Sequence, residues 1–208
     1  MYNKSIIKNV KRKAERTDVV QFVDVNGVRV PLFSWIDINA NELCNRRCVF
    51  CPRGQKYKNE NVHMDLTLAT KISKELKELE YKGTINICGN GEPLLHKDIV
   101  GLVKCFKGHQ VEIVTNGDRL STDLIKNLYD NGLKYFVVSM YDGPEQIERN
   151  NKLFKDACID EDRYILRDRW HPEDDEFGLI LTNRAGTMKG KKDIPSTACY
   201  YMHYSMQI

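Results

Sequence analysis

From residue 34 onwards, short runs rich in Ile and Val alternate with helical runs, and this alternation restricts the chain to few architectures. Such a pattern predicts an α/β fold in which a parallel sheet is covered by helices. In a sheet of this kind, functional residues gather at the carboxyl ends of the strands. The predicted strands are Ser34 to Asn39, Thr84 to Cys88, Val111 to Thr115, Tyr135 to Ser139, Arg163 to Arg167 and Gly178 to Thr182.

Four helical runs connect these strands. The first two helical runs carry apolar stripes at helical spacing. The stripes are Leu68, Ile72, Leu76 and Leu79 in the first helix, and Ile99, Leu102, Val103 and Phe106 in the second. The third predicted helix begins at a Ser121 or Thr122 cap and ends at Gly132, and the fourth runs from Pro144 to about Ala157.

Residues 1–33 precede this alternation of strands and helices and are predicted to form an N-terminal appendage. A short helix with Ile6, Ile7, Val10 and Ala14 on one side is followed by a hairpin that turns at Asn26-Gly27. Residues 34–182 form the predicted core domain, and residues 183–208 form a separate C-terminal segment.

Composition and charge limit the classes of function that the chain can have. The net charge of +3 is spread over mixed charges without a sustained basic stripe, which gives no support for nucleic-acid binding. We find no apolar run of about 18 residues and no apolar signal region, so we expect a cytoplasmic protein without a membrane span. Seven cysteines, three of them within eight residues, favour thiols that serve a metal over disulfides.

The three crowded cysteines follow the first core strand in a CxxxCxxC loop: Cys44, Cys48 and Cys51. Iron-sulfur cubanes usually have four thiolate ligands, so three would leave one iron open to an external ligand. The alternative is a zinc site with His63 or His96 as the fourth ligand. Structural zinc sites more often combine two spaced pairs of ligands, and the sequence has no second pair.

A second motif follows the next predicted strand. The turn from Gly89 through Asn90, Gly91 and Glu92 to Pro93 has two glycines that permit close backbone approach, and Glu92 offers an acceptor for an ammonium group. By itself, a pair of glycines is also typical of any tight turn.

Together, the cysteine loop and this turn resemble the radical SAM superfamily, and the resemblance extends from about Trp35 to Asp142. It implies a partial, open parallel β/α barrel of about six strands. It also implies a [4Fe-4S] cluster on the three cysteines, with S-adenosylmethionine chelating the open iron. Reductive cleavage of that cofactor then yields a 5′-deoxyadenosyl radical, which removes a hydrogen atom from the substrate.

The resemblance also assigns a cofactor site. Gly89 to Pro93 correspond to the GGEP motif that holds the methionine amino group, with Asn90 in place of the first glycine, and Phe50 corresponds to the position beside the adenine ring. Later strand ends add Thr115 and Asn116, which also suit a local Asn-Gly turn, and Ser139 near the cofactor carboxylate or ribose.

Two residues at the ends of later strands each have two possible roles. Asp142 either belongs to the cofactor site or caps the next helix. Arg167 either binds a carboxylate of the cofactor or substrate, or is a solvated arginine in a charged run.

Residues 183–208, which include Cys199, resemble the start of a SPASM or twitch extension, but one thiol cannot hold an auxiliary cluster. The predicted function is a radical SAM enzyme that acts on an unidentified peptide or small metabolite and takes electrons from a donor such as flavodoxin or ferredoxin. The alternatives are a non-catalytic iron-sulfur or zinc binding module and a glycyl-radical activase. The sequence indicates no catalytic residue beyond the cofactor site.

Overall fold

The structure is a computed structural model that describes residues 4–17, 21–48, 51, 58–169 and 205–207. In chain order, its elements are α1 (Lys4–Thr17), β1 (Phe22–Val25), β2 (Val28–Pro31), β3 (Trp35–Asn39), α2 (Leu66–Glu78), β4 (Thr84–Cys88), a 3-10 helix (Pro93–Leu95), α3 (Ile99–Cys105), β5 (Gln110–Thr115), α4 (Thr122–Asp130), β6 (Leu133–Met140), α5 (Pro144–Asp156), β7 (Tyr164–Asp168) and β8 (Ser205–Gln207).

The described strands β3 to β8 form one sheet in the order β7-β6-β5-β4-β3-β8, and every neighbouring pair is parallel. The predicted α/β architecture is therefore confirmed. β4 has the predicted bounds, and β3, β5, β6 and β7 begin and end within two residues of theirs. The predicted strand Gly178 to Thr182 lies outside the described residues, whereas β8 pairs with β3 at the opposite edge.

The helices α2 to α5 cross between consecutive strands and cover one face of the sheet. Alternate strand residues point toward them, as the two-residue period of a strand requires. The apolar core lies between these two layers. Its largest fully buried side chains are Phe106, Phe136, Phe154, Ile38, Ile85, Ile87, Leu102, Ile113, Ile125, Leu128, Leu133 and Met140.

The predicted apolar stripe agrees with the structure in α3 but not in α2, and the predicted cap of α4 is present. All four stripe residues of α3 are buried, and the Ser121 side chain accepts a hydrogen bond from the Leu124 amide as the cap of α4. In α2, however, Leu68 and Leu79 are 47% and 42% exposed. The buried face of α2 is rotated and includes small residues, namely Ala69, Ile72, Ser73 and Leu76.

The predicted hairpin is present. β1 and β2 pair antiparallel, and Asn26 and Gly27 have φ values of 54° and 80°. Two consecutive positive φ values define the type I′ turn that suits the twist of a two-residue hairpin, and Asn-Gly adopts them at low cost. Within the described residues, no helix is long and apolar enough to cross a membrane.

Helix α1 packs against the sheet through a side other than its apolar one. Ile7 and Val10, assigned to its apolar side, are 44% and 61% exposed, while Asn9 is buried. The packed side is basic: Arg12 Nη1 lies 2.6 Å from a carboxylate oxygen of Glu112 on β5. The contact of α1 with the sheet is thus made by its basic side and not by its apolar residues.

The sheet face that α1 contacts is the one not covered by α2 to α5. The Arg12 guanidinium lies 4.0 Å from the ring centre of Tyr135, and the Lys13 ammonium lies 4.8 Å from that of Trp35. Such cation-aromatic contacts contribute more when they are partly desolvated. Because Trp35 begins β3, α1 covers this face near the amino ends of the strands and not at their carboxyl ends.

We predict that Arg12→Ala lowers the free energy of unfolding by about 3 kcal/mol, because the nearly inaccessible Glu112 carboxylate loses its ion-pair partner. Urea unfolding measures the change. Lys11→Ala, at an exposed position of the same helix, is the control and should change stability by less than about 0.5 kcal/mol. Equal effects of the two substitutions would show that the ion pair does not hold α1 in place.

Candidate active site

The three cysteines of the CxxxCxxC loop lie just beyond the carboxyl end of β3. Cys44, Cys48 and Cys51 are partly buried free thiols, and the Cys51 amide donates to the Cys48 carbonyl over 3.0 Å. The pKa of Cys48 is raised to about 11, mainly by burial and also by the charges of the nearby Cys51 and Cys44. Cys48 therefore lies near both of the other thiols of the motif.

This donor set fits an iron-sulfur cubane, whose thiolates bind different iron atoms. Within the described ranges, no group of three or more His, Cys, Asp or Glu residues converges as a single ion would require. The proposed zinc ligands are also engaged elsewhere: His63 contacts the Asn61 side chain and the Lys97 amide, and His96 contacts the Met64 carbonyl and the Asp98 amide. Both ring nitrogens of each histidine thus have protein partners.

The glycine turn after β4 packs directly against the chain that leads into the cysteine loop. A Cβ on Gly89, whose φ is 119°, would lie 2.4 Å from Asn39 Oδ1. A Cβ on Gly91 would lie 2.1 Å from the Asn41 carbonyl oxygen. These glycines are therefore required for the close contact between two loops of the site, a reason that does not depend on any ligand.

Glu92 connects this turn to the next strand end. Its side chain is 3% exposed and accepts hydrogen bonds from Thr115 Oγ1 at 2.5 Å, from the Asn116 amide at 2.8 Å and from the Leu94 amide at 3.1 Å. Burial raises the pKa of the Glu92 carboxyl, and these donors oppose that rise. These three hydrogen bonds hold the Glu92 carboxylate between the glycine turn and the end of β5.

The main chain of the turn is tied to the cysteine loop as well. The Glu92 amide donates to the Leu43 carbonyl, and Asn41 Nδ2 donates to the Glu92 carbonyl. Asn116 extends the connection, since its side-chain amide donates to Asn45 Oδ1 within the CxxxCxxC motif. Thr115 and Asn116 thus do more than form the local turn that the Asn-Gly pair suggested.

Arg46, between the first two cysteines, joins the cysteine loop to two strand ends. Its guanidinium makes a bidentate ion pair with Asp118 beyond β5, at 2.6 and 2.7 Å, and also binds Asp142 beyond β6. Hydrogen bonds to Asp142 and Asp118 raise the pKa of Arg46, and the bond from Arg46 lowers the pKa of Asp142. We call Arg46, Asp118 and Asp142 the arginine clasp.

The clasp corrects one reading of the sequence and adds residues that the sequence did not indicate. Asp142 does not cap α5, because the cap residue is Gly143 and it makes no side-chain hydrogen bond. Arg46 and Asp118 were missed. Their charges and their places beside the motifs were visible, but nothing in the sequence indicated that they pair across 72 residues.

Ser139, near the end of β6, is 3% exposed and accepts a hydrogen bond from Arg167 Nη2 over 2.6 Å. The two residues are register partners in β6 and β7. Arg167 is therefore half-buried and hydrogen-bonded, and the prediction of a solvated arginine is wrong. Phe50 lies outside the described residues, as do Cys199 and the C-terminal segment except for β8.

The fold and site define a class of protein: an open parallel α/β sheet that presents three free thiols and a glycine turn at one edge. The family model described as "Radical SAM superfamily" matches residues 38–159. The chain therefore belongs to the radical SAM superfamily, whose cofactors are a [4Fe-4S] cluster and S-adenosylmethionine.

Several characterised proteins are similar. A protein of Niallia circulans named S-adenosyl-L-methionine-dependent 2-deoxy-scyllo-inosamine dehydrogenase is 30% identical over 163 residues, which cover 76% of this chain and 61% of that relative. A GTP 3′,8-cyclase of Peptoclostridium acidaminophilum is 32% identical over 113 residues, or 51% of this chain and 34% of the cyclase. The chain thus spans about three fifths of the first relative and one third of the second.

A solved structure agrees with these matches. The crystal structure of BtrN in complex with AdoMet and 2-DOIA superposes with a TM-score of 0.66 and 26% identity, and covers 85% of this chain and 69% of BtrN. AdoMet is S-adenosylmethionine, so a structure of similar fold holds the cofactor that the motifs imply. The open partial barrel is consistent with this likeness.

We predict that Arg46→Gln weakens cluster retention, because the cysteine loop loses its ion pairs to both strand ends. The iron content of anaerobically reconstituted protein should fall at least about twofold after desalting, by analogy with positioning residues of other metal sites. Arg47→Gln, at the exposed neighbouring arginine, should retain the wild-type iron content. Unchanged retention in Arg46→Gln would contradict the role of the clasp.

We also predict that Glu92→Gln reduces both stability and cofactor affinity. The amide would direct two N–H groups toward buried donors, and unsatisfied buried groups cost about 1–3 kcal/mol each. Urea unfolding and equilibrium binding of S-adenosylmethionine measure the two effects. Glu60→Gln, at an exposed position, is the control. A variant with normal stability and affinity would mean that Glu92 does not position the turn.

Proposed function

We propose that this protein is a radical S-adenosylmethionine enzyme that removes a hydrogen atom from a peptide or a small metabolite. The observation that carries the proposal is the contact between the loop of the three cysteines and the Gly89 to Pro93 turn at the carboxyl ends of the parallel strands. When bound, the cluster and S-adenosylmethionine supply reductive cleavage of the sulfonium and the 5′-deoxyadenosyl radical.

Cys44, Cys48 and Cys51 would hold the [4Fe-4S] cluster. Three thiolates leave one iron of a cubane available to an external ligand. The arginine clasp supports this role, because it fixes the loop that carries the thiolates against the ends of β5 and β6. A loop fixed from two sides can keep its sulfurs in place when the iron is loaded.

The S-adenosylmethionine site would comprise Gly89, Asn90, Gly91, Glu92 and Pro93, together with Thr115, Asn116 and Ser139, and Phe50 beside the adenine. Within this set, the buried Glu92, Thr115 and Asn116 bind one another. They would act by holding the turn in position. Asn90, which is exposed, and the half-buried Gly91 would contact the cofactor. Pre-organisation of this kind reduces the ordering cost of binding.

The name of the Niallia circulans relative makes oxidation of a small molecule the first reaction class to test. The overlap covers 61% of that relative, so its substrate is a starting point for screening. An electron donor such as flavodoxin or ferredoxin would deliver the electron that reduces the cluster.

We predict that anaerobically reconstituted protein with dithionite converts S-adenosylmethionine to 5′-deoxyadenosine and methionine. Replacing Cys44, Cys48 or Cys51 by Ala should abolish this conversion, because two thiolates do not hold the cluster. Liquid chromatography with mass spectrometry measures the products. The control is Cys158→Ala, which removes an exposed thiol outside the site and should leave the conversion unchanged.

The result also separates the enzyme from a non-catalytic module. Wild-type protein that holds an intact cluster and binds S-adenosylmethionine but forms no 5′-deoxyadenosine would refute the enzymatic proposal. Zinc at one equivalent per chain without cofactor binding would refute the cluster as well.

A further inference from the structure

A row of polar side chains crosses the sheet on the face that α2 to α5 leave uncovered. Its members are register partners on four neighbouring strands, which we call the polar row: Asp37 of β3, Asn86 of β4, Glu112 of β5 and Tyr135 of β6. Ile85 and Ile87, which flank Asn86, belong to the core under the helices. Because successive residues of a strand point to opposite faces, the polar row points away from that core.

Three buried oxygens of the polar row have no hydrogen-bond partner among the described residues: Asn86 Oδ1, Glu112 Oε1 and the Tyr135 hydroxyl. These residues are 5%, 1% and 6% exposed. The Asn86 amide is held in its orientation, because its Nδ2 donates to Asp37 Oδ1 over 2.7 Å and to Cys88 Sγ over 3.1 Å. Buried polar atoms are normally hydrogen-bonded, so oxygens grouped in this way indicate a place where a ligand supplies the missing donors.

The charges around the polar row balance. Asp37 and Glu112 carry two negative charges, and Arg12 and Lys13 of α1 carry two positive ones. Arg12 Nη1 lies 2.6 Å from Glu112 Oε2. The pKa of the Cys88 thiol is raised mainly by burial and next by Asp37, while the charge of Lys13 lowers it, so both charges act at the same place. A site with little net charge and several acceptor oxygens suits hydroxyl groups, which donate hydrogen bonds without carrying a charge.

An apolar group lies beside the polar row on the same face. Tyr135 packs there with Val114, Val137 and Ile165. A sugar or cyclic polyol has both hydroxyl and C–H groups, so its hydroxyls can bind the polar row while its C–H groups pack on these side chains. Neighbouring strands lie about 4.8 Å apart, which spaces Asn86 and Glu112 for two hydroxyls of one small ring.

The polar row lies within the length of a small molecule from the glycine turn. Asn86 precedes Gly89 by three residues, so at about 3.3 Å per residue the polar row is about 10 Å from the start of the turn. The half-buried register partners Asn39 and Cys88 lie between these two levels. A ligand held by the polar row can therefore extend toward the strand ends that carry the proposed cofactor site.

We propose that the polar row binds the hydroxyl groups of a neutral polyol or sugar, and that such a molecule is the substrate of the proposed enzyme. Asn86, Glu112 and Tyr135 are the binding residues. Helix α1 contributes indirectly, because Arg12 holds the Glu112 carboxylate by its ion pair. This inference rests on the proposed function, since it names the class of substrate of that enzyme.

The test uses the reconstituted protein loaded with S-adenosylmethionine, D-glucose as the probe and isothermal titration calorimetry. D-Glucose should bind saturably to the wild type. Tyr135→Phe should bind it at least about fivefold more weakly, because one hydrogen-bonding hydroxyl is lost. The aromatic ring that contacts Arg12 is kept in this variant. D-Glucosamine, which has an ammonium group in place of one hydroxyl, should bind to the wild type more weakly than D-glucose.

Unfolding in urea separates a binding role of Tyr135 from a structural one. Its hydroxyl has no partner in the described part of the chain, so Tyr135→Phe should leave the urea midpoint unchanged or raise it when D-glucose is absent. The matched control is Tyr129→Phe. The Tyr129 hydroxyl donates to the Arg163 carbonyl over 2.8 Å, so this variant should have a lower midpoint and bind D-glucose like the wild type.

Three results would overturn the proposal. The first is wild-type protein without saturable binding of D-glucose. The second is Tyr135→Phe with unchanged binding, and a lower urea midpoint in that variant would assign the hydroxyl to structure. The third is D-glucosamine binding as tightly as D-glucose or more tightly, which would assign the polar row to an ammonium group.

Formation of 5′-deoxyadenosine is measured on the same preparations, so that failure of this inference and failure of the proposed function are distinguishable. Cofactor cleavage without D-glucose binding would refute this inference alone. D-Glucose binding without cleavage would refute the proposed function alone.

Discussion

The arrangement of the site depends on one buried carboxylate. The Glu92 side chain accepts hydrogen bonds from the turn that carries it and from the end of β5. Its main-chain amide and carbonyl both bind the segment that leads into the cysteine loop. A carboxylate that is 3% exposed would be costly without such donors, so the three segments must come together when the chain folds. The glycines beside it satisfy the same requirement, since a side chain at Gly89 or Gly91 would separate the loops.

Charge is used differently at the two ends of the sheet. At the carboxyl ends, Arg46 is held by Asp118 and Asp142, and Arg167 donates to Ser139. At the other end, Arg12 of α1 neutralises the buried Glu112. Helix α1 is therefore held on the sheet by ion pairing, and its apolar residues Ile7 and Val10 stay on the surface.

Local patterns were sufficient to predict the sheet and the motifs. In runs such as Thr84–Cys88, isoleucines alternate with polar residues at the period of a strand, and Asn26-Gly27 specifies its turn through the φ values that it tolerates. The face of α1 could not be read in this way. Its contact depends on Glu112, about 100 residues away in sequence, and apolar spacing gives no information about such a partner.

In the functional site, too, local motifs could be predicted from the sequence and contacts between distant residues could not. The cysteines and the Gly-Glu-Pro sequence are contiguous motifs with a chemical reason for each residue, so the sequence was enough to select them. The roles of Glu92, Arg46 and Asp142 depend on which strand ends are neighbours, and that is a property of the folded sheet. Arg167 illustrates the point: its charged neighbours suggested a solvated residue, yet its register partner is the buried Ser139.

The central claim is that three thiolates hold a cluster with one iron open to S-adenosylmethionine. Electron paramagnetic resonance of the dithionite-reduced, reconstituted protein, recorded with and without S-adenosylmethionine, tests it most directly. The account predicts the signal of a reduced [4Fe-4S] cluster whose g values shift when the cofactor is added. A reduced cluster whose signal is identical in both samples would mean that no iron is open to the cofactor, and would contradict the account.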